Sequence, residues 1–485
     1  MTGHRIELTE TPDPADLAAL GDCLSTLNET SVGPAQRRAL VAFVRDAQGR
    51  VEGGLSGYTA WGWLYVQWLW LAEGLRGQGL AGRLLAAAEA EARARGCHGA
   101  WIDTFNPQSE RAYRRAGYAP LGALPEFPVG RDRVFLAKRL VAPATARSLM
   151  AAEIAEAPAV AARFLIDNAA VLADLGARLR RLDPALVVTV ARGSSDHAAA
   201  YLKYAVELAA GVPVASVGPS VASVYGRPLR LGGALALGIS QSGASPDIVA
   251  LMQALRDGGA LTLALTNHPE SALAPAAEVC LPLRAGPESS VAATKTWMAS
   301  VLAGLALVAE WTGDAGLKAA LARLPQALAQ ALALDWSALA DRLAFAPSAF
   351  VLGRGPGHAA ACEMALKLKE TCGLHAEALS AAEVLHGPAA LARAWFPVLA
   401  LAVDDAARAG VLATAARLAA QGADVVVAGG TAEGAVSLPL AAPLHPLVDP
   451  LLATVSFYAL AEGLARRRGH DPDAPFMLAK VTHTR

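Results

Sequence analysis

Four things are scarce in this sequence of 485 residues. Net charge is the first: at −1 overall, no global field recruits nucleic acid or an anionic membrane. Cysteine is the second. Cys23, Cys97, Cys280, Cys362 and Cys372 are scattered, with no C-x-x-C pair, which argues against a disulfide framework or a thiolate metal site and fits free thiols in a reducing compartment. The third is an apolar leader, since Met1 is followed by Thr-Gly-His-Arg-Ile-Glu. The fourth is a bilayer-spanning stretch, the run from Trp297 to Val308 being too short. These absences predict a soluble cytoplasmic protein without metal. The length predicts two to four domains, and abundant Ala, Leu, Gly and Arg suit a helix-rich α/β class.

What is present centres on Gly238-Ile-Ser240-Gln241-Ser242-Gly243-Ala-Ser245. The apolar stretch 234–237 before it reads as a buried parallel strand, and Ile248, Leu251, Met252 and Leu255 after it read as one helix face. A hydroxyl-rich loop between strand and helix aims backbone N–H groups and side-chain hydroxyls at one point, over the positive end of the helix. A phosphate is the natural guest.

Strand, loop and helix recur elsewhere. Residues 61–71 are dense in aromatic and β-forming types, and Arg76-Gly77-Gln78-Gly79-Leu80-Ala81-Gly82 follows, leading to a helix that ends near Gly96. Glycines there let the backbone approach a pyrophosphate closely. A further strand, 100–104, precedes Asn106 and the block Ala112-Tyr113-Arg-Arg-Ala-Gly117-Tyr118. Beyond a small, Pro-containing linker at 141–147, two helical stretches are predicted at 148–156 and 159–179. From Leu186 the chain repeats its element order. Strand 186–192, loop at Ser194 and Ser195, and helix from Ala198 are matched by strand 349–353, the loop Gly353-Arg-Gly355-Pro-Gly357 and helix from Ala359. Further strands at 261–265, 397–403 and 424–428 complete two similar doubly wound domains. Only the first copy carries the serine loop. The second has Asp404-Asp405 at the matching place, which repels phosphate, so one phosphate site per chain is expected. The Gly353-x-Gly355-x-Gly357 spacing does not fit a dinucleotide fingerprint.

In the second copy Lys367 and Glu370 stand three apart on one helix face among Met364, Leu366 and Leu368. His386 precedes Gly387-Pro388 in a loop, where a side chain titrating near neutrality can shuttle protons.

Two resemblances follow. Arg76-x-x-Gly79-x-Ala81, together with the later Asn106 and Tyr113 block, resembles the GNAT N-acetyltransferases. That likeness implies acetyl-CoA held by Arg76, Gly77, Gln78, Gly79, Leu80, Ala81 and Asn106, with Tyr113 as acid on the departing thiolate; Glu73, just before the loop, is a candidate for the base. Ser240-Gln-Ser-Gly243, Lys367-Leu-Lys-Glu370, His375-Ala-Glu377, His386-Gly-Pro388 and Leu478-Ala-Lys480 resemble the isomerase half of glucosamine-6-phosphate synthase, built from two sugar isomerase (SIS) domains. That likeness implies a phosphorylated amino sugar gripped by Ser195, Ser240, Gln241, Ser242 and Ser245, with Val291, Thr294 and Lys295 in the loop lining its pocket. It implies proton transfer between C1 and C2 by Glu370 with Lys367 assisting, Lys480 at the carbonyl end, and ring opening by His386 from the partner of a homodimer.

The expected organisation is a GNAT domain at 1–140, the linker, a helical lead-in with a first SIS domain at 148–335, a second SIS domain at 336–468, and a tail at 469–485 over the sugar site. The synthases begin with a glutaminase whose N-terminal Cys is the nucleophile, whereas this chain starts Met1-Thr2-Gly3 with a GNAT-like domain. The expected reaction is therefore that of SIS-type deaminases, glucosamine 6-phosphate to fructose 6-phosphate plus ammonia, with an acyl transfer of unspecified acceptor. The alternatives are a phosphosugar sensor, or a synthase-like isomerase drawing on external ammonia.

Overall fold

The computed structural model describes residues 6–140 and 147–480, and the chain divides into two compact units, Met1–Ala142 and Pro143–Arg485. In the first unit, helix α1 (Pro14–Val32) precedes strands β1 (Arg38–Arg45), β2 (Val51–Ala60) and β3 (Trp63–Leu71). Helix α2 (Leu80–Ala94), β4 (Gly99–Thr104), α3 (Pro107–Arg115), β5 (Ala119–Leu124) and β6 (Arg133–Arg139) follow. The sheet runs β1-β2-β3-β4-β6-β5, and β3–β4 is its parallel pair. Leu40, Leu55, Leu64, Ile102 and Leu136 are buried, and α2 packs across β1, β2 and β3 with Leu84, Leu85 and Ala88. The aromatic strand begins two residues later than expected. Trp61 and Gly62, at φ +46° and +74°, form the turn from β2.

The second unit opens with three helices where two were expected: α4 (Leu149–Ala155), α5 (Ala157–Asp167) and α6 (Ala169–Leu182). The break falls at Asn168, at φ −105° and ψ 2°, whose side-chain amide donates to the carbonyls of Phe164 and Pro282 at 3.1 and 3.2 Å. The first repeat contains β7 (Val187–Val190), α7 (Ser194–Ala209), β8 (Val214–Ser216), α8 (Ser220–Ser223), β9 (Leu235–Ser240), α9 (Pro246–Asp257), β10 (Leu261–Thr266), α10 (Leu273–Ala276) and β11 (Val279–Pro282). Helices α11 (Lys295–Thr312), α12 (Ala315–Leu332) and α13 (Ser337–Leu343) lead to the second. That repeat holds β12 (Ser348–Gly353), α14 (Pro356–Cys372), β13 (His375–Ser380), β14 (Pro397–Leu401), α15 (Arg408–Ala420), β15 (Asp424–Ala428) and β16 (Val436–Leu438), closed by α16 (Asp449–Arg467).

Both sheets are parallel and share one topology, β8-β7-β9-β10-β11 and β13-β12-β14-β15-β16. In each, the chain reverses direction beside the first strand, the switch point at which ligands bind in doubly wound sheets. The duplication reaches the backbone angles: Gly193 before α7 sits at φ 56°, ψ −132°, and Gly355 before α14 at φ 58°, ψ −135°. These turns are sharp, so α7 and α14 start earlier than expected, and Ser194 and Ser195 lie in the first turn of α7. Likewise β9 continues through Gly238 and Ile239, making Ser240 its last residue.

The apolar run from Trp297 to Val308 is a core helix. All of it is buried within α11, which packs on α5, α6, α7 and α12. Trp297 stands edge-on to Tyr201 of α7 and to Tyr458 of α16, with centroids 6.2 and 6.1 Å apart. One apolar core thereby spans both repeats. Residues 141–146 of the expected linker lie outside the described residues. Among those described, no helix is long and apolar enough to cross a membrane.

Candidate active sites

In the first unit a cleft of about 820 Å³ opens between the end of β3, the glycine loop and α3. Arg76, Gly77, Gly79, Leu80, Ala81 and Asn106 line it. The loop is shaped by Gly77 and Gly79 at φ +77° and +74°, a region costly for any side chain. Gly79 caps α2 without a side-chain oxygen, so the first N–H groups of α2 are left to a ligand. The Arg76 guanidinium donates to the Leu71 carbonyl at 3.1 Å and braces the loop, and the Gln78 side chain turns back to the Gly74 carbonyl at 2.8 Å. Asn106 caps α3, its side-chain oxygen accepting from the Gln108 N–H at 2.8 Å. Tyr113 is buried in α3; its neighbour across one turn, Ser109, lines the cleft and hydrogen-bonds to it. Burial pushes the Tyr113 phenol up to about 12, so it keeps its proton through neutrality. Glu73 is exposed.

In the second unit the serine loop lies at the switch point between β7 and β9. The Ser240 hydroxyl, nearly buried, accepts from the Gly243 N–H at 3.1 Å, and Ser242 accepts from the Ala244 N–H at 3.3 Å. Gly243 at φ +60° turns the chain toward Ser245, the cap of α9, with Pro246 at its first position. The Gln241 carbonyl accepts from the Asn267 N–H at 3.2 Å. Asn267 in turn clamps the next loop, donating to the Gly286 carbonyl at 2.8 Å and accepting from the Ala285 N–H at 2.9 Å. That loop holds Glu288. Its buried carboxylate takes the N–H groups of Thr294 and Thr296 at 3.0 and 3.1 Å and the Thr296 hydroxyl at 2.6 Å. The Lys480 ammonium reaches Glu288 at 3.2 Å and the Ser290 carbonyl at 2.7 Å, so the C-terminal segment folds onto this loop. Val291 is held by its N–H to the Asp473 carbonyl at 3.1 Å, while Lys295 turns away and pairs with Glu156 at 2.7 Å.

The second repeat carries a lysine–carboxylate cluster. Lys367, fully buried on α14, bonds to Glu370 and stands 3.5 Å from Glu363. Burial works against its charge, but Glu363, Glu370 and Glu288 together more than offset this and hold the ammonium above the ordinary lysine value. Glu363 is the hub. Its two oxygens meet the hydroxyls of Ser194 at 3.2 Å and Tyr458 at 2.9 Å and the His197 ring at 3.1 Å. Ser194 is the immediate neighbour of Ser195 in α7, so Ser194, Glu363, Lys367 and Glu370 form a chain of hydrogen bonds and ion pairs between α7 and α14. His386 is exposed on a 3₁₀ turn (Glu383–His386) and hydrogen-bonds to none of these groups among the described residues.

Glu288, Glu363, Tyr458 and Asn267 were not among the residues picked out from sequence. Glu363 had a signal: with Lys367 and Glu370 it forms an i, i+4, i+7 polar stripe in an apolar helix. Glu288, Asn267 and Tyr458 had none, because loop closure and helix packing bring them in.

The first unit thus has a cleft on a glycine loop, and the second has a serine loop in one repeat and a buried lysine–carboxylate cluster in the other. Residues 8–118 match the Acetyltransferase (GNAT) family and residues 185–310 the SIS domain. An acetyltransferase of Agrobacterium fabrum is 44% identical over 132 residues, 27% of this chain and 96% of the relative. A protein of Silicibacter pomeroyi, provisionally assigned as a phosphosugar isomerase, is 50% identical with a TM-score of 0.66, covering 67% of this chain and all of that one. The C-terminal domain of glucosamine-fructose-6-phosphate aminotransferase from Francisella tularensis is 25% identical with a TM-score of 0.59, covering 68% and 99%. The chain belongs to the GNAT acetyltransferase family in its first unit and to the SIS-domain phosphosugar isomerase family in its second. It is 33% identical over 360 residues to the glutamine–fructose-6-phosphate aminotransferase [isomerizing] of Zymomonas mobilis, and it spans 50–64% of the length of the first such aminotransferases it matches.

Proposed function

We propose that the second unit converts an amino-sugar 6-phosphate, glucosamine 6-phosphate in the first instance, to fructose 6-phosphate and ammonia. The observation that carries this reading is the Lys367–Glu370 pair, tied through Glu363 to Ser194 beside the serine loop. Ser195, Ser240, Gln241, Ser242 and Ser245 hold the phosphate, far from the reacting carbons, so that binding energy positions the sugar. His386 of a second subunit opens the ring in a homodimer. The Glu370 carboxylate removes the proton from C2 of the open-chain amino aldehyde and returns it to C1, giving a 1-hydroxy-2-imine. Lys367, held charged, stabilises the oxygen at C1 as it gains negative charge. Water then adds at C2 and ammonia leaves, giving the ketose. Lys480 faces the carbonyl end, and Val291 shapes the wall.

Purified protein is expected to release ammonia from glucosamine 6-phosphate, and Glu370→Gln to lose at least about 10³-fold in rate while still binding the sugar phosphate. Full turnover by Glu370→Gln removes the assignment. Tight sugar-phosphate binding by the wild type without turnover favours the sensor reading instead.

The first unit, in the same proposal, transfers an acetyl group from acetyl-CoA bound at residues 76–82 and Asn106. Tyr113 protonates the departing thiolate, and Tyr113→Phe is expected to slow thiol release about 10²-fold without weakening CoA binding.

A further inference from the structure

The sheet of the first unit has one covered face and one bare face. Residues directly opposite each other in adjacent strands share a face. Val41, Ser56 and Trp68 form one such row across β1, β2 and β3, and Phe43, Gly54 and Trp70 form the next. Val41 and Phe43 make one wall, the two tryptophans the other, and Gly54 and Ser56 a low floor between them. The four wall residues are 48–67% exposed. A trough of this width accepts the side-chain ridge of a helix.

The same unit carries a helix that, among the described residues, stands largely exposed. Not one residue of α1 is buried. Leu17, Leu20, Leu24 and Leu27, spaced three, four and three apart, make a single apolar stripe and are 53–69% exposed. The helix is held out at its C-terminal end. The Trp61 indole donates to the Gly33 carbonyl at 3.0 Å, the Trp61 N–H donates to the Ala35 carbonyl at 2.9 Å, and the Ala35 N–H reaches the Glu29 carboxylate at 3.0 Å. These bonds pin the connection to the β2–β3 turn and keep α1 off its own sheet.

We propose that α1 is an exchanged arm: the helix of one chain lies in the trough of a second copy, and the reverse, about a two-fold axis. Charge selects this occupant. Helix α1 carries Asp16, Asp22 and Glu29 and no Lys or Arg, whereas Arg37 lies over the Tyr58 ring at 4.0 Å and Arg45 over the Phe43 ring at 4.9 Å, flanking the bare face. Two arms paired with each other would set like charges together. The area is also sufficient. The four leucines and four wall residues present roughly 900 Å² per contact, so the reciprocal pair removes about 1,800 Å², the size of a stable dimer interface. The symmetry is isologous and closed, so the exchange stops at two chains. Trp70 also lines the acyl-CoA cleft, so each arm reaches the wall of the other chain's acetyl-transfer site.

The test uses a cysteine already present. Cys23 is exposed on α1, adjacent to Leu24. Full-length chains bearing only the Ser56→Cys and Cys23→Ser changes are co-expressed with wild-type chains carrying a different tag, then treated with a short bis-maleimide. The expected product is a covalent heterodimer of the two tagged chains, reduced at least about ten-fold when the wild-type partner carries Leu20→Glu and Leu24→Glu. Absence of the heterodimer overturns the proposal. So does a Cys23–Cys23 product between wild-type chains, which means arm pairs with arm. A chain carrying both Cys23 and Ser56→Cys that closes only on itself overturns it too, because the helix then docks on its own sheet. Circular dichroism of each variant confirms that the fold is retained.

Discussion

Glu363 and Lys367 show how much of the site rests on two side chains with no access to water. Both are fully buried and stand 3.5 Å apart, and Lys367 also bonds to Glu370. Removing one partner of such a pair strands the other, at a cost of about 3–5 kcal/mol, whereas replacing both with apolar residues costs far less. Lys367→Met is therefore expected to lower the denaturation midpoint strongly, and Lys367→Met with Glu363→Leu to recover most of it, as denaturant titration will show. The pH dependence has a definite sign. The folded Lys367 value lies above the unfolded lysine value, so its contribution is complete below about pH 10.4 and is lost as pH rises through the folded value. The stability gap between wild type and Lys367→Met should stay constant through neutrality and narrow only at high alkalinity. The Lys367–Glu370 pairing was legible at this scale because a helix places residues three apart on one face. That Lys295 serves a structural ion pair with Glu156 was not legible, because nothing local specifies the partner of a lysine.

At the scale of elements, the turns before α7 and α14 carry the duplication. Gly193 and Gly355 share a positive-φ conformation with open space where a Cβ would stand, so a substitution there costs backbone strain and no clash. Gly193→Ala and Gly355→Ala should each lose on the order of 1–3 kcal/mol. They part on ligand binding. Calorimetry with a sugar phosphate should show weaker binding for Gly193→Ala, beside Ser194 and Ser195, and little change for Gly355→Ala, whose repeat lacks the serine loop. The alternation of strand and helix in both repeats could be read from short apolar runs punctuated by small residues. Boundaries were read less well where a side-chain bond to a distant carbonyl sets them, as Asn168 does with Pro282.

At the scale of the whole molecule, each unit has its own buried interior and its own candidate site. Calorimetry should resolve two transitions. CoA should raise the transition of the first unit and a hexosamine phosphate that of the second, each by about 2.7 kcal/mol at a hundred times its dissociation constant. A single ligand that moves both equally would mean the sites are coupled. The sequence by itself determined the two kinds of domain, the repeat and the glycine and serine loops, because strand–loop–helix order and the conformational demands of Gly and Ser are local properties. Only the tertiary structure decided that Glu363 and Glu288 surround Lys367, that Lys480 folds back to Glu288, and that α1 stands clear of its sheet. Each of these is a meeting of segments far apart in the chain, governed by which surfaces pack and which charges must be neutralised once water is excluded.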